Sequence, residues 1–276
     1  MDFLFSRNTS KMNELDYRAV YVETLRSAPV LGDALFAKVS SIQAMRLTDD
    51  YLASPIKIMI MGQETYGNNR HIRDVPNSSD RWLVEEFNRQ IQEESHFDFA
   101  YGKDPEFSRW WKAYGEICSE FGLSSRRATV WTNISKVQLA DNDGYGVSVS
   151  KLNASDKMNL LRWQRQLLLA ELQFAQPDVL IMMTGGLSWM ARHIFQNGDG
   201  GLADEVSIPG APPNTRGISA ISLGSTLAGY TLHPASRRHR DAELRTARGA
   251  LLSWLKQGLD ARTCSEVVHQ NKRGNT

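Results

Sequence analysis

Several short apolar runs constrain what this chain can fold into. Residues 56–61 follow Pro55, are rich in Ile and Met, and stop at Gly62. Residues 128–134 and 179–183 are similar, the latter ending in Thr184-Gly185-Gly186. Runs of this length, partly β-branched and bounded by Gly or Pro, read as buried strands. Helical patterns separate them, at residues 82–91, 107–121, 160–174 and 187–195. Strands apolar on both faces must be covered on both faces, and intervening helices supply that cover. The predicted fold class is α/β, a central mostly parallel sheet flanked by helices on both faces.

The remaining segments fill out this frame. Residues 13–41 show helical periodicity and precede the first strand as one or two helices. Ser155 is the cap candidate for the long helix at 160–174, and Gln176-Pro177-Asp178 stops it. Residues 197–201 read as a turn and 207–216, rich in Pro and Gly, as a loop. Strands follow near 218–223 and 229–232, the second reaching His233. Ser236 is expected to cap a final helix over 237–255. The expected organisation is an N-terminal helical extension over 1–50 packed on the core, a main domain over 51–260, and a tail over 261–276.

Composition narrows the function classes. With 41% hydrophobic residues the chain can bury a sizeable core, and a net charge of +1 rules out a polycation. The two cysteines, Cys118 and Cys264, cannot supply four thiolates for a metal cluster. No apolar run approaches the roughly 18 residues of a membrane span, and the first residues lack a signal-peptide pattern. A cytoplasmic protein with no membrane partner is expected. Arginines cluster from Arg237 onward, which suits either a polyanion or an ordinary solvated helix face.

Every sharp polar motif falls at the end of a predicted strand: Gly62-Gln63-Glu64, Asn133, Thr184-Gly185 and His233-Pro234. In parallel α/β sheets ligands collect at the carboxyl ends of the strands. The convergence weighs more than any one motif, since a lone Gly-Gln-Glu or His-Pro is usually a turn after a strand.

Three of these strand ends resemble the uracil-DNA glycosylase superfamily. Gly62-Gln63-Glu64-Thr65-Tyr66 is similar to its first motif, Gly-Gln-Asp-Pro-Tyr in the best-known branch. Asn133 is similar to the base-reading Asn at a strand end, and His233-Pro234-Ala235-Ser236 resembles the second motif, His-Pro-Ser-Pro. The likeness spans about residues 56–255. It implies a uracil-DNA glycosylase-like fold and hydrolysis of the bond between a flipped base and its sugar, leaving an abasic site. The expected partner is duplex DNA with a flipped base, with no obligatory protein partner, no metal and no cofactor.

The chemistry explains the residue types. Breaking an N-glycosidic bond builds positive charge on the sugar and negative charge on the base. By resemblance, Glu64 stabilises the cation and orients water. His233 donates to the departing base, as an oxyanion hole does, and can do so while neutral. Asn133 offers a donor and an acceptor to the base edge. The resemblance also gives Gln63 a main-chain contact to the base and makes Tyr66 a wall of the pocket. Extracting the base needs a grip on the duplex. Ser236, Arg237, Arg238 and Arg240 occupy the place of the family's groove-entering, phosphate-pinching segment, with Arg237 or Arg238 as the wedge. Basic residues in a first helical turn would oppose the helix dipole, and a phosphate would relieve that conflict.

The pattern also departs from the family. Glu64 replaces Asp or Asn, Thr65 replaces Pro, and Gly67 replaces His, so Asn68 rivals Glu64 for orienting water. A turn residue is the alternative role for Asn68. Tyr66 decides whether the pocket stops at the pyrimidine C5 position or admits a bulky group there. The altered motif and the extra helical segments are similar to bacterial defence glycosylases that remove hypermodified cytosine, such as glucosylated hydroxymethylcytosine, from phage DNA. Rival readings are uracil or deaminated-base repair, a non-catalytic DNA-binding relative, and a small-molecule nucleoside hydrolase.

Overall fold

Parallel pairing brings the apolar runs side by side. The computed structural model describes residues 12–64, 72, 80–92, 108–141, 144–194, 205–218 and 226–273. Among them are strands β1 (Ile58–Glu64), β2 (Thr129–Ser135), β3 (Leu139–Asp141), β4 (Gly144–Val147), β5 (Val179–Met182), β6 (Glu205–Ser207), β7 (Arg216–Ile218) and β8 (Leu227–Tyr230). Six form one sheet in the order β2-β1-β5-β8-β7-β6, and β3 and β4 pair separately. The pairs β2–β1, β1–β5 and β5–β8 are parallel, whereas β7 and β6 add antiparallel at the edge. The molecule is thus α/β with a mostly parallel central sheet.

Strand alternation divides the core. Ile58, Ile60, Val179 and Ile181 point to one face, Met59, Met61, Leu180 and Met182 to the other. Helices α1 (Glu14–Arg26), α2 (Asp33–Phe36), α3 (Asp49–Ala53), α4 (Asp80–Gln92), α5 (Arg109–Glu120), α6 (Ala154–Ala175), α7 (Ser188–Ile194) and α8 (Asp241–Arg273) provide the cover. On the methionine face lie Tyr17 and Tyr21 of α1, Phe87 of α4, Leu167 and Leu168 of α6 and Met190 of α7. On the isoleucine face lie Tyr114 and Ile117 of α5 with Leu251 and Leu255 of α8. No helix among the described residues is long and apolar enough to cross a membrane.

Several boundaries differ from expectation. β1 does not stop at Gly62, because pairing continues to Glu64 opposite Ser135. Asn153, not Ser155, caps α6, accepting from the Asp156 amide at 2.9 Å. The expected loop over 207–216 connects the hairpin of β6 and β7. Ser236 caps nothing. Its amide donates to the His233 carbonyl in a turn, and α8 begins only at Asp241 and runs on through Arg273. The expected conflict with the helix dipole therefore disappears. Arg237 and Arg238 precede the helix, and its first turn carries Asp241 and Glu243.

Beneath the end of β2 lies a buried charged network. The Lys136 ammonium donates to Glu171 Oε1 at 2.5 Å and to Thr132 Oγ1 at 2.7 Å. Thr132 donates to Glu171 Oε2 at 2.8 Å. The Tyr17 hydroxyl donates to Glu171 at 3.3 Å and accepts from the Met45 amide at 2.7 Å. The side chains of Lys136 and Glu171 are only 3% and 0% exposed, so removing one partner strands a buried charge. Lys136→Met should cost about 3–5 kcal/mol. Adding Glu171→Gln should recover part of that loss, because it removes the stranded charge while keeping an acceptor. Urea unfolding of the single and double variants checks this, and a double variant less stable than Lys136→Met would refute it.

Candidate active site at the strand ends

Register decides which residues meet. Gly62 of β1 lies opposite Asn133 of β2. A Cβ added at Gly62 would overlap Asn133 Oδ1 and stand 3.0 Å from Cη2 of Trp110. Asn133 and Trp110 therefore both lie over bare backbone, and only glycine permits the contact. Asn133 is 5% exposed. Its side-chain amide, which carries both a donor and an acceptor, forms no hydrogen bond with any described residue.

A second convergence lies between β1 and β5, where the strand order reverses. The Gln63 side-chain amide donates to the Thr184 carbonyl at 2.8 Å, and the Gly185 amide donates to the Thr231 carbonyl at 3.1 Å. Gly185 has φ 47°, in the left-handed region, and a Cβ there would stand 3.0 Å from His233 Cβ and 3.1 Å from Gln63 Nε2. A small residue is needed both for the backbone turn and for the approach of His233. The crevice at such a switch point is where open α/β sheets bind ligands.

His233 follows β8 and stacks on Trp110, with ring centroids 5.4 Å apart and planes 19° from parallel. The Ala235 amide donates to His233 Nδ1 at 3.2 Å. A backbone N–H can only donate, so Nδ1 carries the lone pair and the neutral ring holds its proton on Nε2. Burial pushes the imidazole pKa down to about 4. His233 is therefore neutral at ordinary pH, with Nε2–H unclaimed by any described residue.

Glu64 ends β1. Burial raises its carboxyl above the usual range, while the Val149 amide, at 2.9 Å, and the Ser148 side chain pull it partly back. Its observed anchor is thus the segment after β4, and no described contact joins it to His233 or Asn133. Beyond Glu64 the chain enters residues 65–71. Tyr66 and Asn68 lie there, outside the described residues.

Ser236 is half-buried in the turn after His233, and Arg237, Arg238 and Arg240 are exposed. Among the described residues none of the three arginines has an acidic partner, whereas neighbouring His239 pairs with Glu243 at 2.8 Å. The free cations lie within a few residues of the imidazole. A cavity of about 10 Å³ lined by Asn133 with Trp131, Thr132 and Lys136 has room for a water and not for a base. No three His, Cys, Asp or Glu side chains gather as metal ligands among the described residues.

Trp110 is the member of this site that sequence reading misses. One signal was available. Trp110 and Trp111 are adjacent, and successive helical residues point roughly 100° apart, so both cannot face the same way. Trp111 packs against Tyr114 and Trp131 in the core, and Trp110 turns toward His233.

A scan against protein-family models finds no match, and neither does a comparison with curated proteins. Gly62→Ala tests the geometry directly. It should destabilise the protein by about 1–3 kcal/mol, the usual cost of overpacking, and displace Asn133 and Trp110. Urea unfolding and tryptophan fluorescence check this, and a variant with unchanged stability and spectrum would refute the contact.

Proposed function

We propose that the chain is a monofunctional DNA glycosylase that hydrolyses the bond between a flipped base and its sugar. The observation that carries this reading is that Asn133 lies against Gly62 beside Trp110, and His233 against Trp110 and the Gln63–Gly185 crossing, at the ends of parallel strands, with exposed arginines following at once. Asn133 reads the base edge with its free amide. His233 donates through Nε2–H to the base as negative charge grows there, and being neutral it loses no proton from a charged ring in doing so. A preorganised donor in a water-poor site acts mainly on the transition state. Glu64 supplies a carboxylate for the sugar cation and the attacking water, with Asn68 as the other candidate for orienting that water. Gln63 borders the base site, and Tyr66 would form its wall.

Arg237, Arg238 and Arg240, with Ser236, bind the duplex, one of the first two acting as the wedge that replaces the base. The proposed substrate is a modified cytosine, glucosylated hydroxymethylcytosine in phage DNA, and its removal would serve antiviral defence. This finer step rests on the departures Glu64, Thr65 and Gly67 from the resembled motif. Incubation with duplexes carrying uracil, cytosine, hydroxymethylcytosine or its glucosylated form, followed by alkaline cleavage at abasic sites, tests both levels. Cleavage confined to the glucosylated base is expected. Cleavage at uracil alone would favour repair, and binding without any cleavage would favour a non-catalytic relative.

The DNA contacts make a separate prediction. Arg237→Ala and Arg238→Ala should each weaken duplex binding, and the phosphate-contacting one should lower the salt slope by about one unit. The wedge should matter less for excision from a single strand, where little extraction is needed. Equal losses on duplex and single strand for both variants would reject the wedge assignment.

A further inference from the structure

Trp110 carries an unexplained cost. Its indole Nε1 is buried and has no hydrogen-bond partner. Leaving such a donor unsatisfied costs about 1–3 kcal/mol, a cost that a smaller phenylalanine would not carry. Trp110 leads into the core at the first turn of α5, and the Arg109–Asp241 ion pair at 3.4 Å joins the starts of α5 and α8. The ring thus lies at a joint between the two helices that cover this face. The six-membered edge of the indole rests on Gly62, with Cη2 and Cζ2 lying 3.0 and 3.3 Å from where a Cβ would be. Its face covers the imidazole of His233.

We propose that Trp110 is a positioning residue for His233: stacked between bare backbone at Gly62 and the imidazole, it fixes the ring so that Nδ1 accepts from Ala235 and Nε2–H faces the ligand. Two fixed points define the orientation of an imidazole, a hydrogen bond at one edge and a surface against its face. Ala235 supplies the first and Trp110 the second. The Ala235 bond is long at 3.2 Å and lies on an exposed residue, so by itself it holds the ring weakly. The width of an indole lets one side chain touch both Gly62 and the imidazole. A phenyl ring placed on Gly62 would cover less of His233, which accounts for a tryptophan that leaves its own N–H unsatisfied.

The inference rests on the proposed glycosylase activity for its kinetic arm, and a second arm is independent of it. In Trp110→Phe, folding stability should change little, because removal of the unsatisfied donor offsets the indole contacts that are lost, and DNA affinity should be unchanged. Single-turnover excision should fall about ten- to a hundredfold, the cost of misplacing a reacting group. Hydrogen exchange at the Ala235 amide, protected by its bond to His233, should accelerate as the ring loosens. A purely structural role would instead lower stability and excision together. Unchanged Ala235 exchange, or excision at the wild-type rate, would overturn the proposal. If the unmodified protein releases no base, the glycosylase reading fails, and Ala235 exchange alone decides the role of Trp110.

Discussion

Asn133 and Trp110 reach the same spot only because Gly62 beneath them has no side chain. The rest of the site depends on that contact. It brings the end of β2 and the first turn of α5 onto the end of β1. The indole, its edge on Gly62, then presents its face to His233. The parallel register supplies the alignment, since Gly62 lies opposite Asn133 while Met61 lies opposite both Thr132 and Met182. A one-residue slip would turn Asn133 to the opposite face, toward Lys136 and Glu171. The buried network of those two residues with Thr132 belongs to the face that must not slip.

Burial then sets the chemistry. It keeps His233 neutral, and the Ala235 amide settles which nitrogen holds the proton. The same burial raises the Glu64 carboxyl, though two donors near Val149 offset part of the effect. Environment thus pushes the two titratable groups of the proposed mechanism in opposite directions. The histidine needs no charge to donate, and the carboxylate is available once the pH exceeds its raised pKa.

Much of the frame was legible because buried parallel strands leave unmistakable runs. The segments around Ile60, Val130 and Ile181 are short, apolar and bounded by turn residues, and each became a strand. Strand ends were legible for the same reason, which put Asn133 at the end of β2 and His233 just beyond the end of β8. Helix starts were less so. Ser155 and Ser236 looked like caps, but Asn153 stood two residues earlier, and the acidic pair Asp241 and Glu243 marked the true start of α8. The three-residue strands β6 and β7 are too short for periodicity to register. Contacts between distant segments, such as Glu64 with Val149 or Trp110 with His233, follow from packing of the whole chain and leave no local signature.

In the proposed mechanism His233 acts on the departing base rather than on folding or DNA affinity. Single-turnover excision by His233→Ala, on a duplex the unmodified protein cleaves, tests it most directly when DNA affinity is measured on the same samples. Loss of one such donor should slow excision by about a hundredfold or more while leaving affinity unchanged. Excision at the wild-type rate, or affinity falling by the same factor as the rate, would show that His233 does not act on the departing base.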